Sequence, residues 1–471
     1  MTLVKIHVNM KLEATLLCVL LYLTTGGCDR VYVHPFYLVS LNNTDANSCK
    51  ELEEREREQL VKMFVPLSIE SHFTSTYEET LRNKSEEEEK RLGVNFLKDP
   101  IYVTGARFYK ELKRIHKSSN IIISPIFIYE TLFSIYLGAS GQTAIDLQIL
   151  LGFDPPSRVS SCNFKIDGHK VLFALKIILN APLRSRDTEG LTFSKLLCLF
   201  SAPGTHLSES FVHELAFPDV SFYVRAVDFT NPTEAAKQIN AFVERKSTYR
   251  SKGLLADIDQ ETTLLLATYT HFKAVINGAS SLKEPQEFWV DSHTKIYVPM
   301  MTITRILKHK YHPGLSIVKI PVSKSVFLLL LQPSNSSELA SDEDQYPLTP
   351  SLEWLQGLES KQIHLTFPKV SFTSMYDLQD LLAKHGMPNL LGKEANLRLL
   401  SSSNVTIGKI ITQQHFELSP SEAEQVEAHT EENASGTLKM TLDKPFLFAV
   451  YEQESAALIY FGQITNPLKE T

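Results

Sequence analysis

The sequence predicts an α+β protein, because helix-like and strand-like patterns follow one another along most of the chain. Phe108–Ile115 places apolar residues at helical spacing among charged ones, which predicts an amphipathic helix. Strand patterns dominate after about residue 285, and the short apolar run Val326–Leu331 predicts a buried strand. With 471 residues, 43% hydrophobic and 21% charged, the chain has the composition of one large globular domain or two smaller ones.

Local signals define the first helices of this body. Ser124 followed by Pro125 predicts a helix start, with a capping hydroxyl and a proline in the first turn. The apolar segment that follows reaches Gly138, a residue that favours the end of a helix. We therefore expect a helix from Pro125 to about Gly138.

The N-terminus has the three parts of a secretory signal. Lys5 and Lys11 supply positive charge, residues 14–23 form a short apolar core, and Gly26 and Cys28 are small residues before a cleavage site after Cys28. The apolar core is shorter than the roughly 20 residues that a membrane span needs. We expect removal of residues 1–28 and secretion, and the alternative is a buried N-terminal helix or a membrane anchor.

Charge and motif content exclude several classes of function. The net charge of −7 argues against a nucleic-acid partner, and no later apolar run is long enough to span a membrane. We find no His-Glu-x-x-His, Gly-x-Ser-x-Gly or Cys-x-x-Cys motif, no glycine-rich phosphate loop and no EF-hand pattern. We therefore expect no enzymatic activity, no cofactor and no metal, and we interpret the scattered histidines as surface or core residues.

Secretion would expose the cysteines to oxidation and the N-glycosylation motifs to glycosylation. Cys198 lies in the apolar stretch Leu196–Phe200 and is interpreted as a buried thiol that packs as a small hydrophobe. A disulfide is plausible in a secreted chain. The N-glycosylation motifs begin at Asn42, Asn83, Asn335, Asn404 and Asn433.

The segment directly after the signal has features of a protease substrate. Residues 29–41 lack a core-forming periodicity. The β-branched Val31 and Val33 favour extended backbone, and His34 is pushed away from the helical region by the proline that follows it. Leu38–Val39 is an apolar pair of the kind that the hydrophobic pockets of an aspartic protease accept. We expect an extended N-terminal segment that a protease cleft can bind by strand pairing.

A series of short motifs in the body resembles the serpin family. In order, these motifs are Asn120–Pro125, Leu137–Thr143, Phe288–Asp291, Val298–Met301, Phe367–Val370, Asp443–Phe448, Phe461–Gly462 and Asn466–Pro467. Each motif is weak alone, but together they run in the family's order over residues 100–467. The resemblance implies a serpin fold, with three β-sheets surrounded by helices and an exposed loop before the C-terminal signature. The predicted serpin domain is 100–471, behind a tail extension of residues 39–99.

The predicted loop departs from the pattern of inhibitory serpins. An inhibitory loop inserts as a strand after cleavage, so its alternate residues are buried, and the family's hinge is accordingly Gly-Thr followed by small residues. Here the corresponding stretch is Ser419–Glu432, and Pro420 lacks the N–H of a central strand. Carboxylates occur in both alternating sets, at Glu422, Glu424 and Glu432 in one and at Glu427 and Glu431 in the other. Burial of these groups costs several kcal/mol each, so we expect a non-inhibitory body. A protease inhibitor or a small-ligand carrier is the alternative.

The segment after the signal resembles the angiotensin family of vasoactive peptides. The resembling octapeptide consists of Asp29, Arg30, Val31, Tyr32, Val33, His34, Pro35 and Phe36, and Asp29–Leu38 resembles the longer decapeptide. The resemblance implies cleavage at Leu38–Val39 by the aspartic protease renin, and then removal of Tyr37–Leu38 by angiotensin-converting enzyme. The octapeptide ending at Phe36 is expected to act on an angiotensin receptor that controls blood pressure and salt and fluid balance. The resemblance also supports a disulfide between Cys49 and Cys162, with two unpaired thiols as the alternative.

Overall fold

The computed structural model describes the body of the chain and a short part of the tail. The described residues are 54, 62–71, 95–116, 119–153, 166, 168–184, 190–215, 221–247, 255–256, 258–312, 314–334, 354–388, 390–421, 425–426 and 436–469. Among them, no helix combines the length and the apolar character that a membrane crossing requires.

Helices precede and flank the strands. The helices of the described chain are α1 (Lys98–Ile115), α2 (Pro125–Gly138), α3 (Gly141–Leu150), α4 (Gly168–Arg184), α5 (Glu209–Leu215), α6 (Pro232–Lys246) and α7 (Leu378–Lys384). The helix predicted at Phe108–Ile115 is confirmed as the second half of α1, which begins ten residues earlier, at Lys98. The helix predicted from Pro125 is confirmed with both of its ends.

The strands lie mostly in the second half of the chain. They are β1 (Met63–Phe64), β2 (Ile121–Ile123), β3 (Leu191–Ser201), β4 (Leu207–Ser208), β5 (Ser221–Ala226), β6 (Leu264–Ile276), β7 (Ser280–Leu282), β8 (Gln286–Trp289), β9 (Lys295–Val298), β10 (Met300–His312), β11 (Leu315–Pro321), β12 (Val326–Pro333), β13 (Glu359–Pro368), β14 (Val370–Asp377), β15 (Ile407–Pro420), β16 (Gln425–Val426), β17 (Leu438–Thr441), β18 (Phe446–Glu452) and β19 (Leu458–Ile464). The buried strand predicted at Val326–Leu331 is confirmed as β12, in which all six of these residues are buried.

Three sheets organise the strands, and two of them share the long strand β10. The central sheet has the order β14-β15-β6-β3-β5. The second sheet has the order β10-β11-β12-β18-β19-β2, in which β11 pairs with the last residues of β10. The third joins β16, β7, β13 and β17 to β10, and β13 pairs with β10 from Met300 to His309. Two small pairs, β1 with β4 and β8 with β9, lie outside these sheets. The expectation of three sheets surrounded by helices is confirmed.

The start of α2 corrects one expectation about local structure. The hydroxyl of Ser124 does not cap the helix; it donates to the carbonyl of Ile459, at 2.6 Å. The residue is fully buried, so its hydroxyl ties the helix start to β19. Gly138 ends the helix as expected, but for a steric reason, because a Cβ there would lie 2.7 Å from the Cβ of Leu400.

The buried helix α2 holds the central sheet through an ion pair. The carboxylate of Glu130 on α2 accepts a hydrogen bond from the ammonium group of Lys195 on β3, and both side chains are almost fully buried. The Lys195 ammonium group also lies 5.2 Å from the centre of the Phe127 ring. Two buried charges are tolerated at this depth because each compensates the other. On the opposite face of the sheet, Cys198 is fully buried beneath α6, as expected for a small apolar residue.

The residue before β2 and the C-terminal end of the described chain meet at Asn120. The amide nitrogen of Asn120 donates to the carbonyls of Asn466 and Lys469, at 2.8 and 2.7 Å. Its amide oxygen accepts from the backbone N–H groups of Thr465 and Asn466, at 2.8 and 2.9 Å. Two of the resembling motifs, which begin at Asn120 and Asn466, are therefore one contact in space.

Part of the predicted tail extension pairs with the body. β1 pairs antiparallel with β4, and the N–H of Ile69 donates to the carbonyl of Ala226 on β5, at 2.9 Å. The Ile69 side chain is buried among residues of α6 and the central sheet. The middle of the tail extension is thereby fixed to the edge of the central sheet.

Candidate functional site: the central seam and the start of the exposed loop

Most of the predicted site residues lie outside the described residues. These are the peptide Asp29–Phe36, the cleavage residues Tyr37, Leu38 and Val39, the cysteines Cys49 and Cys162, and the glycosylation sites Asn42, Asn83, Asn335 and Asn433. These expectations remain predictions.

One predicted glycosylation site, Asn404, is within the described chain. Its side chain is exposed, directly before β15. The backbone two residues later is fixed, because the carbonyl of Thr406 accepts from the N–H groups of Thr263 and Leu264, at 3.1 and 3.0 Å. The amide of Asn404 therefore projects from a rigid turn into solvent, where a glycan has room.

The seam between β6 and β15 leads directly to the start of the exposed loop, because β15 ends at Pro420. The two strands run parallel at the centre of the sheet, paired from Leu264 with Ile407 to Ile276 with Pro420. The only shift in this pairing lies between Ile407 and Lys409. A new strand inserted here has to replace the whole ladder of hydrogen bonds between the two strands.

Aromatic stacking sets the register of this seam. Phe272 and Phe416 are directly opposite each other, fully buried, with ring centres 5.3 Å apart and nearly parallel planes. Because a one-residue slip would turn both rings to the other face of the sheet, this pair fixes the alignment of the neighbouring residues. On the other face, the register places His271 opposite His415.

Two cross-strand pairs of polar side chains result from this register. The rings of His271 and His415 have centres 5.1 Å apart, and the two side chains are 9% and 2% exposed. Two residues further on, the ammonium group of Lys273 lies 2.8 Å from a carboxylate oxygen of Glu417. The imidazole and carboxylate ligand atoms of His271, His415 and Glu417 all lie within 4.8 Å of one another.

Burial keeps these histidines neutral. Desolvation, together with the neighbouring His271 and Lys273, lowers the pKa of His415 to about 4, while Glu417 opposes the shift. Burial also lowers the pKa of His271, where Glu417 acts to raise the pKa and Lys273 acts to lower it. The Nδ1 atom of His415 lies 3.1 Å from the hydroxyl of Thr373 on β14, which orients the ring.

The start of the exposed loop is attached to the turn after β6. Ser419 and Pro420, which the sequence analysis assigned to the loop hinge, are the last residues of β15. The next residue, Ser421, accepts at its hydroxyl from the N–H of Gly278, at 2.9 Å, and donates its own N–H to the carbonyl of Ala279, at 3.2 Å. Gln425–Val426 then pairs with Ser281–Leu282 as the edge strand β16. The described loop residues thus run beside β7 and lie outside the seam between β6 and β15.

Comparison with known proteins decides the family. The family model described as serpin, serine protease inhibitor, matches residues 102–467. The chain belongs to the serpin family. Human angiotensinogen is 34% identical over 479 aligned residues, which cover 98% of both chains, and rat angiotensinogen is 33% identical, over 97% of this chain and 98% of its own.

Serpin structures confirm the fold. Thyroxine-binding globulin, solved in complex with thyroxine, superimposes with a TM-score of 0.65 at 20% identity, covering 79% of this chain and 99% of its own. This similarity concerns the fold alone. The serpin description, serine protease inhibitor, names a role that is not enzymatic.

The cluster of polar groups in this serpin's seam was not predicted from the sequence. The histidines are scattered along the chain, whereas the structure brings His271 and His415 together. A signal was present, because both strands contain a His-Phe pair followed by a charge of opposite sign, in residues 271–273 and 415–417. The similarity of the two triplets becomes meaningful only when the strands are known to pair in parallel.

Proposed function

We propose that the chain is a secreted precursor of a vasoactive peptide hormone and that its serpin body does not inhibit proteases. Renin cleaves Leu38–Val39 and releases Asp29–Leu38. Angiotensin-converting enzyme then removes Tyr37–Leu38, and the octapeptide ending at Phe36 acts on an angiotensin receptor to control blood pressure and salt and fluid balance.

The observation that carries this proposal is the similarity to angiotensinogens over almost the whole chain. It covers 98% of the 471 residues, which leaves about 9 residues outside it. Residues 29–39 therefore fall within the similar region, and they include the angiotensin-like peptide and the expected scissile bond. A relative outside this group, an α-1-antitrypsin-like protein from Tamias sibiricus, covers 77% of the chain at 27% identity.

The chemistry of the peptide suits both cleavage and recognition. Leu38 and Val39 supply apolar side chains on both sides of the scissile bond. After processing, Arg30 offers a cation, Tyr32 a phenol and Phe36 an aromatic ring beside a free carboxylate. Such spaced aromatic and charged groups serve as anchors in a receptor pocket.

The seam and the loop support a non-inhibitory body. The central sheet is closed along its whole seam, and the described loop residues pair with the turn and strand that follow β6. Insertion would have to release these contacts and bury carboxylates such as Glu422 or Glu427 in either register. No described feature compensates that penalty.

The remaining features of the proposal follow from secretion. Residues 1–28 act as the signal, residues 39–99 connect the peptide to the domain 100–471, and glycans attach at several of the five motifs. Cys49 and Cys162 form a disulfide that ties the tail to the body. The protein has no enzymatic activity, and it binds neither nucleic acid nor membrane.

Digestion with renin tests the proposal. The purified secreted protein is incubated with renin, and the small products are identified by mass spectrometry. The expected product is Asp29–Leu38, with the large body left intact. A Val39→Pro variant should not be cleaved, because proline removes the backbone N–H and fixes φ next to the scissile bond. The matched Ser40→Ala variant should still release the decapeptide.

Two results would contradict the proposal. Renins from several species are tested, because a single renin can reject the substrate. Failure of all of them, or cleavage only within residues 419–444, would favour an inhibitor or a small-ligand carrier. A covalent complex with a serine protease that resists denaturation would then identify the inhibitor.

A further inference from the structure

The cluster in the seam combines groups that are typical metal ligands. His271 comes from β6, whereas His415 and Glu417 come from the same face of β15. Their ligand atoms lie within 4.8 Å of one another although the residues belong to distant parts of the sequence. Two imidazoles and one carboxylate are a ligand set that zinc uses, with water in the fourth position.

The environment of His415 favours its use as a ligand. The Nδ1 atom of His415 lies within hydrogen-bond distance of the Thr373 hydroxyl, at 3.1 Å. An outer hydrogen bond of this kind fixes the tautomer and the orientation of a metal-binding histidine.

We propose that His271, His415 and Glu417 form a Zn²⁺ site that joins β6 to β15 across the central seam. The site is independent of the proposed hormone-precursor function. The ion would link the two strands near the end of the seam, because Glu417 lies three residues before Pro420, the last residue of β15. A bound ion holds the two strands together, and it therefore stabilises the closed sheet.

The geometry requires a modest closure of the side chains around the ion. With bonds of about 2.0–2.1 Å, tetrahedral zinc places its ligand atoms roughly 3.3 Å apart. The Glu417 side chain is 22% exposed and Lys273 beside it is 37% exposed, so the site opens to solvent on this side. Rotation of the Glu417 carboxylate towards the imidazoles provides the closure, and the open side provides an entry path.

Lys273 competes with the ion for the carboxylate. Its ammonium group lies 2.8 Å from Glu417 and repels a dication. Zinc binding therefore has to displace this lysine towards solvent, where its half-exposed position allows it to move. This competition predicts that removal of the lysine charge strengthens zinc binding.

Calorimetric titration of the whole secreted protein with ZnCl₂, after treatment with a chelator, tests the site. We expect Glu417→Gln and His271→Phe to lose one equivalent of tight zinc binding, with Kd raised at least about 100-fold, beyond the roughly 10–100-fold effect of losing an outer-shell partner. Lys273→Met should lower Kd. The matched control is His385→Asn, because His385 also lies beside a glutamate, Glu111, at 3.4 Å, but has no second histidine there among the described residues.

A spectroscopic and a thermal measurement complete the test. Co²⁺ bound in place of zinc should give the visible absorption of tetrahedral cobalt in the unaltered protein and in the His385→Asn control, and Glu417→Gln should lose it. Zinc should raise the thermal midpoint only when the three ligands are present. Equal zinc stoichiometry and equal Kd in the unaltered protein and in Glu417→Gln, or the absence of tight zinc binding altogether, would overturn the proposal.

Discussion

Mild acid should destabilise the serpin body through His415. The side chain is 2% exposed, and its burial beside His271 and Lys273 lowers its pKa from 6.5 to about 4. Because the pKa is lower in the folded state than in the unfolded state, the unfolded chain binds more protons between these values. The contribution of this residue to stability is therefore complete above pH 6.5 and is lost as the pH falls towards 4.

The size of the effect follows from the shift. One pKa unit corresponds to about 1.4 kcal/mol, so the full shift corresponds to about 3 kcal/mol in the free energy of unfolding. At pH 5 the loss from His415 alone is about 2 kcal/mol, because the unfolded imidazole is then almost fully protonated and the folded one is not. Glu417 opposes the shift, and Lys273 strengthens it.

Urea unfolding at pH values from 7.5 to 4.5, in the presence of a chelator, measures this contribution. The variant His415→Phe keeps a ring of similar volume and removes the titrating group, so its free energy of unfolding should fall less on acidification, by about 2 kcal/mol at pH 5. Met375→Leu, at an exposed residue of β14, removes no titrating group and is the control that should keep the original pH dependence. If the unaltered protein and His415→Phe lose stability equally between pH 6.5 and 5, the argument from burial is refuted.

Three further perturbations test the body. Lys195→Met should lower the free energy of unfolding by about 3–5 kcal/mol, because it leaves the Glu130 charge buried and uncompensated, and the double variant with Glu130→Gln should recover much of that loss in urea titrations. Asn120→Ala should lower it by about 2–4 kcal/mol, because it leaves backbone groups near Asn466 without their partner, and an unchanged unfolding midpoint would contradict this. Asn404→Gln should reduce the mass of the secreted protein by one glycan while its thermal midpoint stays the same, and an unchanged mass would show that the site is not used.

Local patterns predicted the parts of the fold that depend on neighbours in the sequence. The apolar run Val326–Leu331 forms a buried strand because its composition suits no other environment. The prediction for Ser124 located the helix start correctly and assigned the hydroxyl wrongly, since the partner that binds it, Ile459, lies at the far end of the chain. Local capping rules cannot anticipate a distant carbonyl that competes for the same donor.

The candidate site shows the same limit more strongly. His271 and His415 are each ordinary strand residues, and only the parallel pairing of β6 with β15 brings them into contact. The charge pattern of the loop, by contrast, supports an expectation without any structure, because alternation along a strand is a local property. That expectation stays a prediction, whereas the chemistry of the seam could not be predicted from the sequence.

The position of the last strand has a consequence for synthesis of the protein. β19 lies between β18 and β2, and Asn120 next to β2 binds the backbone of residues 465–469. During translation β2 is synthesised early, whereas its partner β19 is synthesised almost at the end of the chain. The partner of β12, β18, is also synthesised late. The edges of β2 and β12 therefore stay unpaired during most of translation, and the native sheet forms only after the chain is released. Premature termination within the final forty residues should yield a product that binds chaperones and is retained, however complete its N-terminal peptide is.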